Sequence, residues 1–184
     1  MAGFDVNSDT LQLILSHRER AAAPRAPSRL DDLFDRLTTA GVIESERIEV
    51  AIWEEWMVHA DPHATQLLEQ ATDEVIMEHY EQAEAMLDRL VAAHPDFAEA
   101  WNKRATLLYL MDRDEESLAD LRRVLALEPR HFGAMCHFAQ ICLTHGECET
   151  ALYALDAALQ LNPHLDEARA TARKLQRDAR RTLQ

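Results

Sequence analysis

An all-α fold built as a stack of helix pairs is what this sequence predicts, and three observations carry that reading. Pro95, Pro129 and Pro163 follow one another at intervals of 34 residues, and a fixed period of that length marks a stacked helical repeat. Ala71, Ala105 and Ala139 recur at the same interval. There the two helices of a pair must approach closely, and a larger side chain would push them apart. Hydrophobic residues make up 47% of the 184-residue chain and only four residues are glycine, which suits a helical globular protein rather than a disordered one.

Residues 1–29 read as an arm. Its stretch DTLQLIL has the apolar residues Leu11, Leu13, Ile14 and Leu15 for a short helix, and ERAAAPRAPSR follows as a loop with two helix-breaking prolines. Such an arm either stays flexible or folds back on the stack. Ser28 is placed to cap a helix over 29–39, on which Leu30, Leu33, Phe34 and Leu37 share one face. Gly41 is expected to end it. Ser45 is expected to cap the next helix, about 46–59, which carries Ile48, Ala51, Ile52, Trp53 and Trp56. Together residues 30–63 form an N-terminal hairpin expected to cap the exposed apolar end of the stack.

Helix pairs then follow at 64–97, 98–131 and 132–165, with Glu78, Asp112 and Gly146 at the tight turn inside each pair. Three pairs are about the minimum for a stable stack. Residues 166–184 read as a C-terminal capping helix. Ala168, Ala172, Leu175 and Ala179 fall on one side of it, and Arg169, Arg173, Arg177 and Arg180 on another.

The middle pair carries a family resemblance. Trp101-x2-Arg104-Ala105-x2-Leu108, then Ser117-x3-Leu121, then Pro129 resembles the tetratricopeptide repeat pattern, with Arg104 and Ser117 as departures. The segments WNKRATLLYLM and LALEPRHFGA are similar to small alphaproteobacterial members of that family. The resemblance implies a right-handed superhelical solenoid of three helix pairs, flanked by the N-terminal hairpin and the C-terminal cap. It also implies a concave groove, lined by the first helix of each pair, that takes an extended peptide or a helix of a partner protein.

The candidate binding residues in that groove are Asn102, Lys103, Thr106, Tyr109, His137 and Gln140; the same repeat positions add Thr65, Leu68, Glu69, Thr72 and Ile76 from the first pair, Glu99 and Leu110 from the second, Cys136, Leu143 and Thr144 from the third, and Thr171 and Lys174 from the cap. Asn102 and Gln140 can hydrogen-bond a peptide backbone, Lys103 and His137 can meet a carboxylate, and Tyr109 offers a flat amphipathic contact. Some members of the family grip acidic chaperone tails with a carboxylate clamp of Lys and Asn, then Asn, then Lys and Arg on successive helices. The corresponding positions here are Leu68, Thr72, Asn102, Gly133 and His137. Only Asn102 matches, so no binding of such tails is expected.

Arg104 stands where the repeat usually packs a leucine, and a buried guanidinium demands a partner. Asp73, Asp112 or a backbone carbonyl would serve in a structural ion pair; the alternative is an anion site beside Lys103. Cys142-x2-His145-x2-Cys148 has ligand-like spacing for zinc. It spans a helix end and a turn, however, and these are ordinary packing positions where free cysteine acts as a small apolar residue. No metal and no cofactor are therefore expected. The odd number of cysteines, Cys136, Cys142 and Cys148, points away from a disulfide framework and toward a reducing compartment.

The formal net charge of −14 is uneven. Residues 31–97 carry −14 and 98–165 carry −4, whereas 1–30 carry +1 and 166–184 carry +3. An acidic body disfavours nucleic acid, whose affinity comes from Lys and Arg on phosphates, and it favours a basic protein partner. No apolar run approaches the ~18 residues of a membrane span, and residues 1–30 show no secretory pattern. The cytoplasm is the expected compartment; a mitochondrial or other organellar setting is the alternative, from arginines mixed with alanines near the start. With no phosphate-cradling glycine loop, nucleophile elbow or HExxH, the sequence predicts no enzyme. It predicts an adaptor or scaffold, with a client-specific assembly chaperone as the second reading.

Overall fold

The computed structural model describes residues 8–21 and 28–182. Among them are eleven α-helices and no strand. The central stack comprises α5 (Pro62–Ile76), α6 (Tyr80–Ala93), α7 (Ala98–Leu110), α8 (Asp114–Leu127), α9 (Phe132–Thr144) and α10 (Cys148–Leu161). Consecutive helices pack on one another, most extensively α7 on α8 and α9 on α10. Helix α11 (Asp166–Thr182) packs on α10.

The turns explain the period. Between pairs, the N–H of Phe97 donates to the His94 carbonyl, that of His131 to Glu128 and that of Leu165 to Asn162. Each is a four-residue turn with Pro95, Pro129 or Pro163 at its second position, where the fixed proline φ is already that of the turn. Within pairs, the first helix ends in one repeated closure: His79 N–H donates to Glu74, Arg113 to Leu108 and Glu147 to Cys142. That closure needs a left-handed residue. Glu78 takes φ 61°, Asp112 φ 58° and Gly146 φ 79°, so two of the three turns hold a carboxylate where glycine would be unstrained.

Inside each pair the small residues lie where expected. Ala71, Ala105 and Ala139 are wholly buried. Ser117, one of the two departures from the repeat pattern, is also wholly buried, and its hydroxyl donates to the Ala105 carbonyl at 2.8 Å. Arg104, the other departure, donates from Nε and Nη2 to the two carboxylate oxygens of Asp120, each at 2.7 Å, and from Nη1 to Asp88 at 2.9 Å. Its guanidinium also lies 4.8 Å from the Trp101 ring centre. The partners are thus Asp88 on α6 and Asp120 on α8 instead of Asp73 or Asp112: they sit 16 residues to either side, at the level of α7 where Arg104 emerges.

The N-terminal elements take a different course. Helix α3 (Arg29–Leu37) begins at Ser28, whose N–H and hydroxyl both donate to the Asp31 carboxylate. Helix α4 (Val42–Met57) begins earlier than expected. Gly41, at φ −73°, is its N-cap and not a left-handed stop for α3. Ser45 lies inside the helix, where its hydroxyl donates back to the Val42 carbonyl at 2.7 Å instead of capping a helix start.

The hairpin formed by α3 and α4 packs its aromatic face against the start of α9, not as a plain cap on α5. Phe34, Trp53 and Trp56 all stack around Phe132. Helix α1 (Ser8–Leu15) packs on α8 and α10 with Ile14 wholly buried. From the short helix α2 (His17–Ala21), Arg20 donates to the carbonyls of Leu125 and Ala126 at 2.8 Å each, satisfying the last turn of α8. Residues 1–7 and 22–27 of the arm lie outside the described residues.

Candidate functional site

Helices α5, α7 and α9, the first of each pair, carry the groove candidates, and these residues divide along the helices into a covered and an open set. The first turns of α7 and α9 lie under α4. Glu99 is wholly buried there and Asn102 nearly so. The Asn102 amide donates to both Glu99 oxygens at 3.2 Å, the Lys103 ammonium sits 3.4 Å from Oε1, and His131 Nε2 lies 2.9 Å from Oε2. His131 Nδ1 accepts the Ala134 N–H at 3.1 Å, which leaves the proton on Nε2 for Glu99. Burial alone would push the Glu99 carboxyl up. The hydrogen bond from His131, the Lys103 charge and the hydrogen bond from Asn102 more than offset it, and the group sits below its ordinary value.

Helix α4 closes this network from above. Trp56 stacks flat on the His131 ring, with centroids 4.1 Å apart and planes at 10°. Trp53 stands edge-on to His131 and Phe132 at 5.5 and 5.7 Å. Gly133 lies directly beneath: a Cβ added there would come within 2.5 Å of the Trp53 ring. Two polar contacts tie the hairpin down, Asn162 donating to Glu49 at 2.8 Å and Arg130 donating to Asp31 at 2.7 Å. Beside α4, between α9 and α11, remains a pocket of about 430 Å³ walled by Glu49, Trp53, Cys136, Gln140 and Thr171. Burial, with the nearby Glu49 carboxylate, pushes the Cys136 thiol up to about 12.

The last turns of the same helices are open. Ile76 at the end of α5 is 73% exposed, Leu110 at the end of α7 is 46% exposed, and Met77 follows Ile76 at 60%. Tyr109, the neighbour of Leu110 in sequence, stands edge-on to the His137 ring at 5.2 Å. Burial pushes His137 down to about 4, only weakly opposed by Asp114, and its Nε2 is buried with no hydrogen-bond partner. His137 is therefore neutral at pH 7. Thr72, Thr106 and Thr144 each donate to the carbonyl four residues back, at 2.8, 3.1 and 3.2 Å, so their hydroxyl protons are spent within their own helices.

The candidate groove residues are thus separated. Asn102 and Lys103 belong to the covered network around Glu99. Thr106, Tyr109 and Gln140 line the open part, His137 stands at the border, and Arg104 lies off this face in its ion pair with Asp120 and Asp88. Among the described residues, no group of three or more His, Cys, Asp or Glu side chains is placed to hold a metal ion. Cys136, Cys142 and Cys148 are free thiols. Sequence reasoning missed the burial of Glu99 and the role of Gly133. A glycine in the first turn of a helix, where no turn needs it, was the available signal.

The Tetratricopeptide repeat model matches residues 68–129. A TPR repeat-containing protein of the alphaproteobacterium Rhizobium etli is 33% identical over 162 residues, covering 87% of this chain and 78% of the relative. The chain belongs to the tetratricopeptide repeat family. Solved TPR structures share the fold. The first TPR domain of Spaghetti (RPAP3), bound to the HSP90 peptide SRMEEVD, superposes with a TM-score of 0.60 at 20% identity, over 66% of this chain and 98% of that one. The crystal structure of MamA superposes with a TM-score of 0.57 at 16% identity, over 91% and 81%. TPR proteins are in general non-catalytic scaffolds, and the repeat supports a role in protein–protein interaction. No helix among the described residues is long and apolar enough to cross a membrane.

Proposed function

We propose that this TPR protein is a non-catalytic adaptor that holds a segment of a partner protein in the open part of its concave face. The exposed apolar pair Ile76 and Leu110, beside Tyr109 on that face, carries the reading. Large apolar side chains left exposed on one face mark a surface that gains by being covered, and a tyrosine beside them is a usual interface anchor. Thr106, Tyr109 and Gln140 are the candidate residues that take part, with His137 as a neutral backing wall. Asn102 and Lys103 contribute by holding Glu99 and the seat of α4.

The solved Spaghetti domain is bound to the HSP90 peptide SRMEEVD, and the present chain is proposed not to bind such a peptide. Leu68 is buried, Asn102 is engaged with Glu99, and His137 is uncharged where a clamp needs a cation. Three free thiols favour the reducing bacterial cytoplasm as the compartment. The test is affinity purification with mass spectrometry, comparing wild type with Tyr109→Ala/Leu110→Ser. Loss of specific partners in the variant is expected; an unchanged partner set would move the interface to the convex face or the ends. An HSP90-tail peptide binding with micromolar affinity would contradict the second part.

A further inference from the structure

We propose that the partner segment is an amphipathic helix with basic residues along one flank, an inference that rests on the groove reading above. Two features of the open strip select it. The first is the shortage of free backbone-binding groups. The hydroxyl protons of Thr72, Thr106 and Thr144 are spent on their own helices and the Asn102 amide on Glu99, which leaves Gln140 as the candidate amide that can still reach a partner's backbone. An extended peptide would bring a row of N–H and C=O groups onto a face that carries Ile76, Leu110 and Tyr109 and offers few of them a partner, and burying them unpaired is costly. A helix arrives with those groups already satisfied and needs only an apolar face.

The second feature is the edge along which the strip ends. The turns after α5, α7 and α9 form an acidic row. Some of its charge is already neutralised: His79 meets Glu74, Arg113 meets Glu84 and Glu116, and His145 meets Asp114. Among the described residues, Glu78, Glu81, Asp112, Glu115 and Glu147 meet no cation. The C-terminal ends of α5, α7 and α9 meet the N-terminal ends of α6, α8 and α10 at this edge, so the helix dipoles offset one another and the charge is that of the carboxylates. Glu78 and Asp112 also hold the two left-handed positions at a backbone cost that the glycine of the third turn, Gly146, avoids. Glycine would make a better turn there; what the carboxylates add is charge beside the apolar strip. Lys or Arg on the flank of a docked helix would meet that row.

The experiment uses three peptides of about 18 residues with one shared leucine pattern and Lys, Gln or Glu at the flanking positions, titrated into the full chain at about 50 mM salt. The Lys peptide is expected to bind about tenfold tighter than the Gln peptide, and the Glu peptide weakest. Ile76→Ser/Leu110→Ser should weaken the Lys peptide about tenfold. Glu78→Gly/Asp112→Gly should weaken it several-fold while raising the melting temperature, which separates recognition from folding. Glu46→Gln/Glu54→Gln, on the outer face of α4, should change nothing. Equal binding of the Lys and Gln peptides, or an equal loss in the α4 control, overturns the basic partner. Equal binding of a Lys peptide broken by a central proline overturns the helix. If Ile76→Ser/Leu110→Ser leaves every peptide unaffected, the groove reading itself fails.

Discussion

The two ends of helix α9 lie on one face, a little over two turns apart, and have opposite fates. At its start, Gly133 and Cys136 lie under Trp53 and Glu49 of α4; at its end, Gln140 and Thr144 face water. Helix α7 repeats the contrast, with Glu99 and Asn102 buried and Leu110 exposed. The same repeat position can therefore be core or surface, depending on what lies over it. The cover comes from α3 and α4, which stand outside the period. An apolar residue left open here is consequently more informative about binding than a polar residue at a customary groove position.

Breaking the covered end should have the largest effect. Trp56→Ala removes a nearly buried ring from between Phe34, His131 and Phe132, and should cost about 4 kcal/mol in denaturant unfolding. Leu110→Ser at the open end should stay within about 0.5 kcal/mol. Similar losses at both ends would erase the contrast.

Acid sharpens the border between the two halves. The folded chain holds His137 near 4, below its ordinary value of 6.5. As pH falls from 7 to 5 the unfolded chain takes up a proton that the folded chain does not, so stability falls. The expected loss is about 2 kcal/mol between those pH values, and His137→Phe should flatten it. Burial lowers His17 as well, adding a slope of the same sign. Glu99, held below its ordinary value, adds a loss only at lower pH, as the pH falls from the ordinary carboxylate value through its folded one.

Smaller changes probe the fit. Gly133→Ala pushes a methyl group into Trp53, and about 1–2 kcal/mol should be lost in thermal melts. Glu78→Gly and Asp112→Gly each relieve a left-handed residue and should each gain about 1 kcal/mol, whereas Gly146→Ala should lose a similar amount.

Much of the stack is legible in the sequence because its causes are local. A proline at the second position of each inter-pair turn, a small residue at each close approach, and Glu78, Asp112 and Gly146 at the left-handed turn all act within a few residues. Ser28 is readable as a cap for the same reason. Ser45 was misleading: the Gly41 start leaves it inside α4, where its hydroxyl serves Val42. The destination of α4 was not legible. Ile48, Ile52, Trp53 and Trp56 announce an apolar face, and nothing in their spacing says which surface receives it. Arg104 likewise announces the need for a partner without choosing between carboxylates; packing of α6, α7 and α8 makes that choice. The groove residues were identified by repeat position alone, so the reading could not separate Asn102 from Tyr109.

Thiol reactivity along α9 tests the division of the concave face most directly. In a background with Cys142→Ala and Cys148→Ser, the native Cys136 would be compared with Thr144→Cys carried in Cys136→Ala. At pH 8 the Thr144→Cys thiol is expected to react with a disulfide reagent at the rate of a free thiol, and Cys136, half-buried on the pocket wall and with its thiol pushed up to about 12, about a hundredfold or more slowly. Equal rates in the folded protein would mean that α4 does not close the first turns of the groove.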